Sequence, residues 1–318
     1  MALLALGALA LLGACDRTSE RSPTDPPVRE DGARTSASSL ASVAERPAAT
    51  ATASGTPSAI PPSLSPSASA PASVPEANEN TSGSCAADMV QVQGEYCPAL
   101  TQVCDKHHTE FENAKESKTV SERCLSYRPS TCVSKQRRSV KFCMDRYEYP
   151  NVVGEIPRVL TSWKSAKKMC EARGKRLCTE DEFNFACEGP SMLPYVYGHD
   201  RNKQICAIDK EYRYPDHSKV LPEYDECLAL DWCKAELTRL DQREPIGQRT
   251  TCRSWAGVFD LNGNVNEWVN LPKEKAPNRS GLKGGWWGPV RGRCRPTVTF
   301  HKESDYGYEA GFRCCTDS

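Results

Sequence analysis

Seventeen cysteines in 318 residues constrain this chain more than any other feature. Setting Cys15 aside leaves sixteen, all between Cys85 and Cys315. An even set in an exported chain predicts a disulfide framework that staples a loop-rich fold. Zinc is the competing use of cysteine. The close spacings (Cys97 to Cys104, Cys124 to Cys132, Cys170 to Cys178, Cys227 to Cys233) are all wider than Cys-x-x-Cys, which weakens that reading.

Export is predicted by the first fifteen residues, "MALLALGALALLGAC". The apolar run is too short to cross a bilayer as a helix. It reads as a secretory signal over residues 1–14 with a lipoprotein box, Leu12-Gly13-Ala14-Cys15, in which Cys15 would carry the lipid. An ordinary signal peptide with an incidental cysteine is the alternative. The expected location is the bacterial cell envelope, with membrane contact through the anchor. Residues 16–84 contain no Phe, Trp, Tyr or Cys and are dominated by Ser, Ala, Pro and Thr. Such composition cannot bury enough apolar surface to offset ordering entropy. Residues 15–84 are therefore expected to be a disordered tether with a reach of roughly 45 Å. Residues 85–318 are expected to form one domain. With 41 basic and 41 acidic residues the chain has no cationic excess, which argues against a nucleic-acid partner.

Few regular elements are legible in that domain. "MVQVQG" at 89–94 alternates as a strand does. "SWKSAKKMCEARG" at 162–174 has a Ser cap, apolar residues at Trp163, Ala166, Met169 and Cys170, and Gly174 as a stop. "TEDEFNFAC" opens on a Thr179–Glu182 capping box. Two or three helices and several short strands are expected, with many loops between them. "GVFDLNGNVNEWV", from residue 257, alternates Asp260, Asn262, Asn264 and Asn266 before Glu267. An EF-hand needs Gly sixth and Glu twelfth. Gly263 is fourth and Glu267 eighth, so that loop is excluded. What remains is a calcium site of another kind or a turn in which the Asn side chains bond their own backbone.

Five blocks in order carry a resemblance: "PRVLTSWKSAKKMCEARGKRLCTEDEFNFACEG" from 157, "YVYG" from 195, "GVFDLNGNVNEWV" from 257, "LKGGWWG" from 282, and "GFRCC" from 311. Together they resemble the formylglycine-generating enzyme, or sulfatase-modifying factor, family over roughly residues 88–315. The resemblance implies an α+β fold of low regular content, related to C-type lectins and here disulfide-rich. It implies a calcium ion held by the carboxylates of Asp260 and Glu267 and the carbonyls of Gly263 and Val265, hard oxygen donors that suit Ca²⁺. A second family calcium site is not expected, because Ala207 stands at its Asn position. The resemblance also implies a bridge from Cys187 to Cys314.

Enzymes of that family oxidise a substrate cysteine to formylglycine with copper(I) held by two thiolates, the soft ligands that ion selects. Aligned on "GGWWGPVRGRCRP", the second thiol position is Cys294 and the first is Pro289. Copper is therefore not expected, and a disulfide is the plainer role for Cys294. None of the five histidines falls in an HxxxH or HExxH pattern. Trp286, Trp287, Arg291 and Arg293 could line a groove for a protein, peptide or glycan, although Trp is equally good core filler and the Arg residues could form a solvated face. The leading expectation is a calcium-stabilised, membrane-tethered binding module. The alternatives are an active oxidase or related modifying enzyme with a rearranged site, and a structural envelope protein.

Overall fold

A computed structural model describes residues 85–114 and 121–318. The expected signal peptide, Cys15 and the expected tether lie outside the described residues, which begin at Cys85. The family-like α+β fold is present. A four-stranded sheet has the order β1 (Met89–Tyr96), β6 (Arg138–Asp145), β11 (Cys314–Asp317), β7 (Arg176–Leu177). A three-stranded sheet has β8 (Asn266–Asn270) between β10 (Ala310–Phe312) and β9 (Ser280–Lys283). Two short ribbons pair β2 (Leu100–Thr101) with β5 (Thr131–Cys132) and β3 (Cys104–His107) with β4 (Cys124–Tyr127).

The helices are α1 (Thr109–Ala114), α2 (Trp163–Glu171), α3 (Glu180–Glu188), α4 (Tyr224–Ala229) and α5 (Asp231–Leu240). No described helix is long and apolar enough to cross a membrane. Local signals set two of these helices. The Ser162 hydroxyl accepts from the Ser165 amide at the start of α2, and Thr179 and Glu182 cap α3 reciprocally. Helix α2 places Trp163, Ala166 and Cys170 against Trp268, Leu282 and Phe312. Trp163 Nε1 donates to the Val269 carbonyl at 3.0 Å, and Trp268 Nε1 donates to the Thr161 carbonyl at 2.7 Å. Each indole thus buries its body in the core and finds its one hydrogen bond across it. Helix α3 puts Phe183, Phe185 and Cys187 into a second core with Val92, Phe142 and Met144 of the larger sheet.

All sixteen described cysteines are paired, as the even count predicts. The expected Cys187–Cys314 bridge is not formed. Cys314 bonds to Cys170 and Cys187 bonds to Cys294. Strand pleating gives the reason, since successive side chains on β11 face opposite sides of the sheet. Cys314 falls in the core under α2, where Cys170 points, and Cys315 falls in the core under α3, where it bonds to Cys178. Cys187, the penultimate residue of α3, faces the loop after β9 that carries Cys294.

Candidate functional site

Two features meet beside the smaller sheet: a buried charge cluster built on the 257–269 stretch, and the loop that follows β9. In the stretch, Asp260 and Asn264 hold positive φ (57° and 55°), and Gly263 has φ 86°. Only glycine fits at 263, because a Cβ there would sit 2.3 Å from the Ala207 carbonyl oxygen. The Asn side chains do not form a self-contained turn. Asn262 Oδ1 accepts from the Val196 amide at 2.8 Å, and Asn264 Oδ1 accepts from the Glu244 amide at 2.9 Å. Asn264 Nδ2 donates to Glu148 at 2.7 Å. The stretch is therefore a polar hub that ties three distant loops together.

Glu148, Asp260, Glu267 and Arg313 are all nearly inaccessible to solvent. Arg313 clasps Glu267 through two bonds of 2.6 Å, Nε to Oε2 and Nη2 to Oε1, and also donates to the Phe259 carbonyl at 2.9 Å. Glu148 accepts from the Val265 amide at 3.1 Å as well as from Asn264. Burial pushes the Asp260 carboxyl up to about 7, against the pull of Arg313, and burial together with the neighbouring carboxylates raises Glu148 well above the usual range. Three carboxyl groups thus face one guanidinium.

The expected calcium quartet is only partly consistent with this arrangement. The surplus of hard, negatively charged oxygen fits a divalent cation, and no hydrogen bond reaches the Asp260 carboxylate among the described residues. Glu267 does not fit as a free ligand, because Arg313 occupies both its oxygens. Among the described residues no group of three or more His, Cys, Asp or Glu is placed to hold a metal.

The second feature begins just after β9, at Gly284 and Gly285. Gly285 (φ 77°) admits no side chain, since a Cβ would lie 2.5 Å from the Gly292 Cα where the loop folds back on itself. Cys294 is fully buried, its amide donates to the Pro194 carbonyl at 2.9 Å, and its sulfur is bonded to Cys187. Asn262 Nδ2 lies 3.5 Å from the Cys187 sulfur and 4.0 Å from the Cys294 sulfur. Pro289 is half-buried in the same loop and brings no thiol. A copper ion held by two thiolates does not fit these residues.

Of the four residues expected to line a groove, Trp286, Arg291 and Arg293 line one cavity and Trp287 does not. Trp287 is core filler, 1% exposed, packed with Val159, Leu160 and Val265 and edge-on to Trp286. Arg293 is committed to Gln102 (2.9 Å) and Glu122 (3.4 Å), and Arg295 to Glu188. Glu309, and the place of Asn266 in the same cavity, were missed. Asn266 lies within "NVNEW" and Glu309 two residues before "GFRCC", and those places are the only sequence hints.

Lys283 fixes the loop from beneath. It is 1% exposed and donates to the Arg295 carbonyl at 2.7 Å and to Thr297 Oγ1 at 3.2 Å. Burial pulls its ammonium from 10.5 down to about 7. The folded state then releases the proton first, so between about 7 and 10.5 the unfolded chain holds more protons and stability rises with pH. Urea midpoints at pH 7 and 9 should climb more in the native protein than in Lys283→Met; equal slopes would show that Lys283 titrates normally.

Comparison with known proteins places these features. A family model described as the sulfatase-modifying factor enzyme 1-like domain matches residues 78–318. Two curated relatives are both called inactive C-alpha-formylglycine-generating enzyme 2. The one from Bos taurus is 27% identical over 171 residues, covering 51% of this chain and 50% of its own length. The one from Mus musculus is 26% identical over 172 residues, covering 52% and 50%. The chain spans about half the length of these relatives. Among solved structures, CarF aligns at TM-score 0.46 and 13% identity, covering 73% of this chain and 98% of its own. PvdO from Pseudomonas aeruginosa aligns at TM-score 0.42 and 17% identity, covering 72% and 94%.

Proposed function

Because the chain belongs to the sulfatase-modifying factor enzyme 1-like domain family, we propose that it keeps the family scaffold as a binding module and has given up copper oxidation. The observation that carries this is the Cys187–Cys294 cystine, which occupies the second thiol position while Pro289 occupies the first. Binding would fall to the cavity beside that cystine, whose partner is a protein, peptide or glycan. The module would be exported and held at the cell envelope by a lipid on Cys15, at the end of the tether. The curated relatives' description as inactive supports this reading. The test is incubation with copper(I), oxygen and a peptide containing a Cys-x-Pro-x-Arg core, followed by mass spectrometry. The peptide should be recovered unchanged, and an aldehyde product would restore the enzyme reading.

Calcium belongs to the same proposal in modified form. A divalent cation would neutralise the surplus charge of Asp260 and Glu148, with the Gly263 and Val265 carbonyls as further donors and Glu267 left to Arg313. A ligand bound only by the folded state stabilises it by mass action. Calcium added to chelator-treated protein should raise the melting temperature, and Asp260→Asn should abolish the rise. An unchanged melting temperature would leave Arg313 as the cation that serves this cluster and remove calcium from the account.

A further inference from the structure

The loop between β6 and α2 exposes apolar side chains close to where the described domain begins. Val152, Val153 and Ile156 are 48%, 63% and 41% exposed, and every residue from 152 to 156 is exposed. The loop is pinned on both sides of this tip. Tyr149 stacks on Phe312 with ring centroids 4.5 Å apart. The Gly154 amide donates to the Ile246 carbonyl at 3.0 Å, and the Ile246 amide donates to the Glu155 carbonyl at 2.8 Å. Asn151 Nδ2 donates to the Asp88 carbonyl at 2.9 Å, so the loop touches the chain three residues past Cys85. Cations stand beside it. Arg173, just past the end of α2, donates to the Pro150 carbonyl at 3.0 Å and lies 4.1 Å from the Tyr149 ring centroid. Lys164 and Lys168, one turn apart on α2, are exposed and make no ion pair among the described residues. Other charges here are matched, Glu171 by Lys167, Asp88 by Lys175 and Arg158 by Asp225. On the loop and α2 that leaves Glu155 against Lys164, Lys168 and Arg173.

We infer that this face docks on a lipid surface carrying anionic headgroups, with Val152, Val153 and Ile156 entering the headgroup layer and Lys168 and Arg173 set against phosphates. The inference rests on the reading of the chain as a lipid-anchored module, and it adds a contact made by the domain itself. Two observations choose lipid over other occupants. The loop lies beside the point where residues 1–84 join the domain, so an anchor in that segment brings it to the bilayer at high effective concentration. Interfacial binding also combines buried apolar area with attraction between cations and anionic lipids, and this face offers both. Arg173 gives one N–H to the Pro150 carbonyl and keeps the rest of its fork for a phosphate. Because the loop is already pinned, little ordering entropy opposes docking.

The test is flotation with vesicles of phosphatidylcholine alone or mixed with phosphatidylglycerol. The protein is the mature chain of that reading, residues 15–318, carrying Cys15→Ser so that no lipid masks the domain's own contact. It should float with the mixed vesicles and bind the neutral ones more weakly. Lys168→Gln with Arg173→Gln should weaken binding to the mixed vesicles roughly ten-fold or more, at about five-fold for each cation near an anionic surface, and leave the neutral vesicles unaffected. Val153→Asp should weaken binding to both and leave the melting temperature unchanged, since the side chain is exposed. Absence of binding to either vesicle, or indifference to Val153→Asp, would overturn the inference. Retention of the native chain in cell membranes reports the anchor separately, so retention without vesicle binding overturns the docking face alone, and loss of both overturns the anchored reading as well. A dimer in solution that Val153→Asp dissolves would assign the loop to a second copy of the chain and overturn the lipid surface.

Discussion

Arg313→Met is expected to cost the domain about 3–5 kcal/mol, the loss typical when one partner of a buried ion pair is removed. For a domain of this size that corresponds to a fall in melting temperature of roughly 6–20 °C. Arg313 is 1% exposed and is the one cation bonded to Glu267 among the described residues, while Glu148 and Asp260 add negative charge nearby. Without the guanidinium, three carboxyl groups would share a closed space and at least two would have to protonate. The loss should therefore shrink at acid pH, where the carboxyls are protonated in both states. Arg313→Met combined with Glu267→Leu should recover part of it, because the pair is then removed whole. Denaturant unfolding under non-reducing conditions measures both effects. A loss below about 1 kcal/mol in the single variant, the scale of a surface pair, would show that the cluster does not depend on Arg313.

Cys294→Ala is the second large effect, and it separates two roles for the same residue. As a cystine with Cys187 it closes a loop of 107 residues. By chain entropy that is worth about 4 to 5 kcal/mol, and the variant also leaves a buried thiol at Cys187. A reactive thiol would behave differently, since its replacement would remove activity and leave the melting temperature nearly unchanged. The expected outcome is a strongly lowered melting temperature. Pro289→Cys on the native background should yield a free thiol and no copper chemistry, because Cys294 remains bonded to Cys187 and a proline-shaped loop is not preorganised for a metal.

What the sequence disclosed was local. Ser162 and the Thr179–Glu182 box placed α2 and α3, because a cap is a contact between residues three apart. The alternation at 89–94 placed β1, and the even cysteine count anticipated full pairing. The ordered motifs found the fold because turn glycines and core aromatics recur in chain order. The disulfide pairing was not legible, since it depends on which face of β11 each of two adjacent cysteines takes. Nor was the engagement of Glu267 by Arg313, 46 positions away, or the arrival of Glu148 at Asn264, 116 away. The α4–α5 helix pair escaped because exposed Leu230 and Trp232 blur its apolar stripe. In the cavity, the groove arginines were visible as a basic run, but only the fold shows that Arg293 and Arg295 are neutralised and Arg291 is not.

The state of Cys294 can be read directly. Native protein, alkylated without reduction and digested, should yield one peptide pair joining Cys187 to Cys294, with no alkylated Cys294. Recovery of alkylated Cys294, or its linkage to a cysteine other than Cys187, would contradict the claim that the family's thiol position has become a structural cystine.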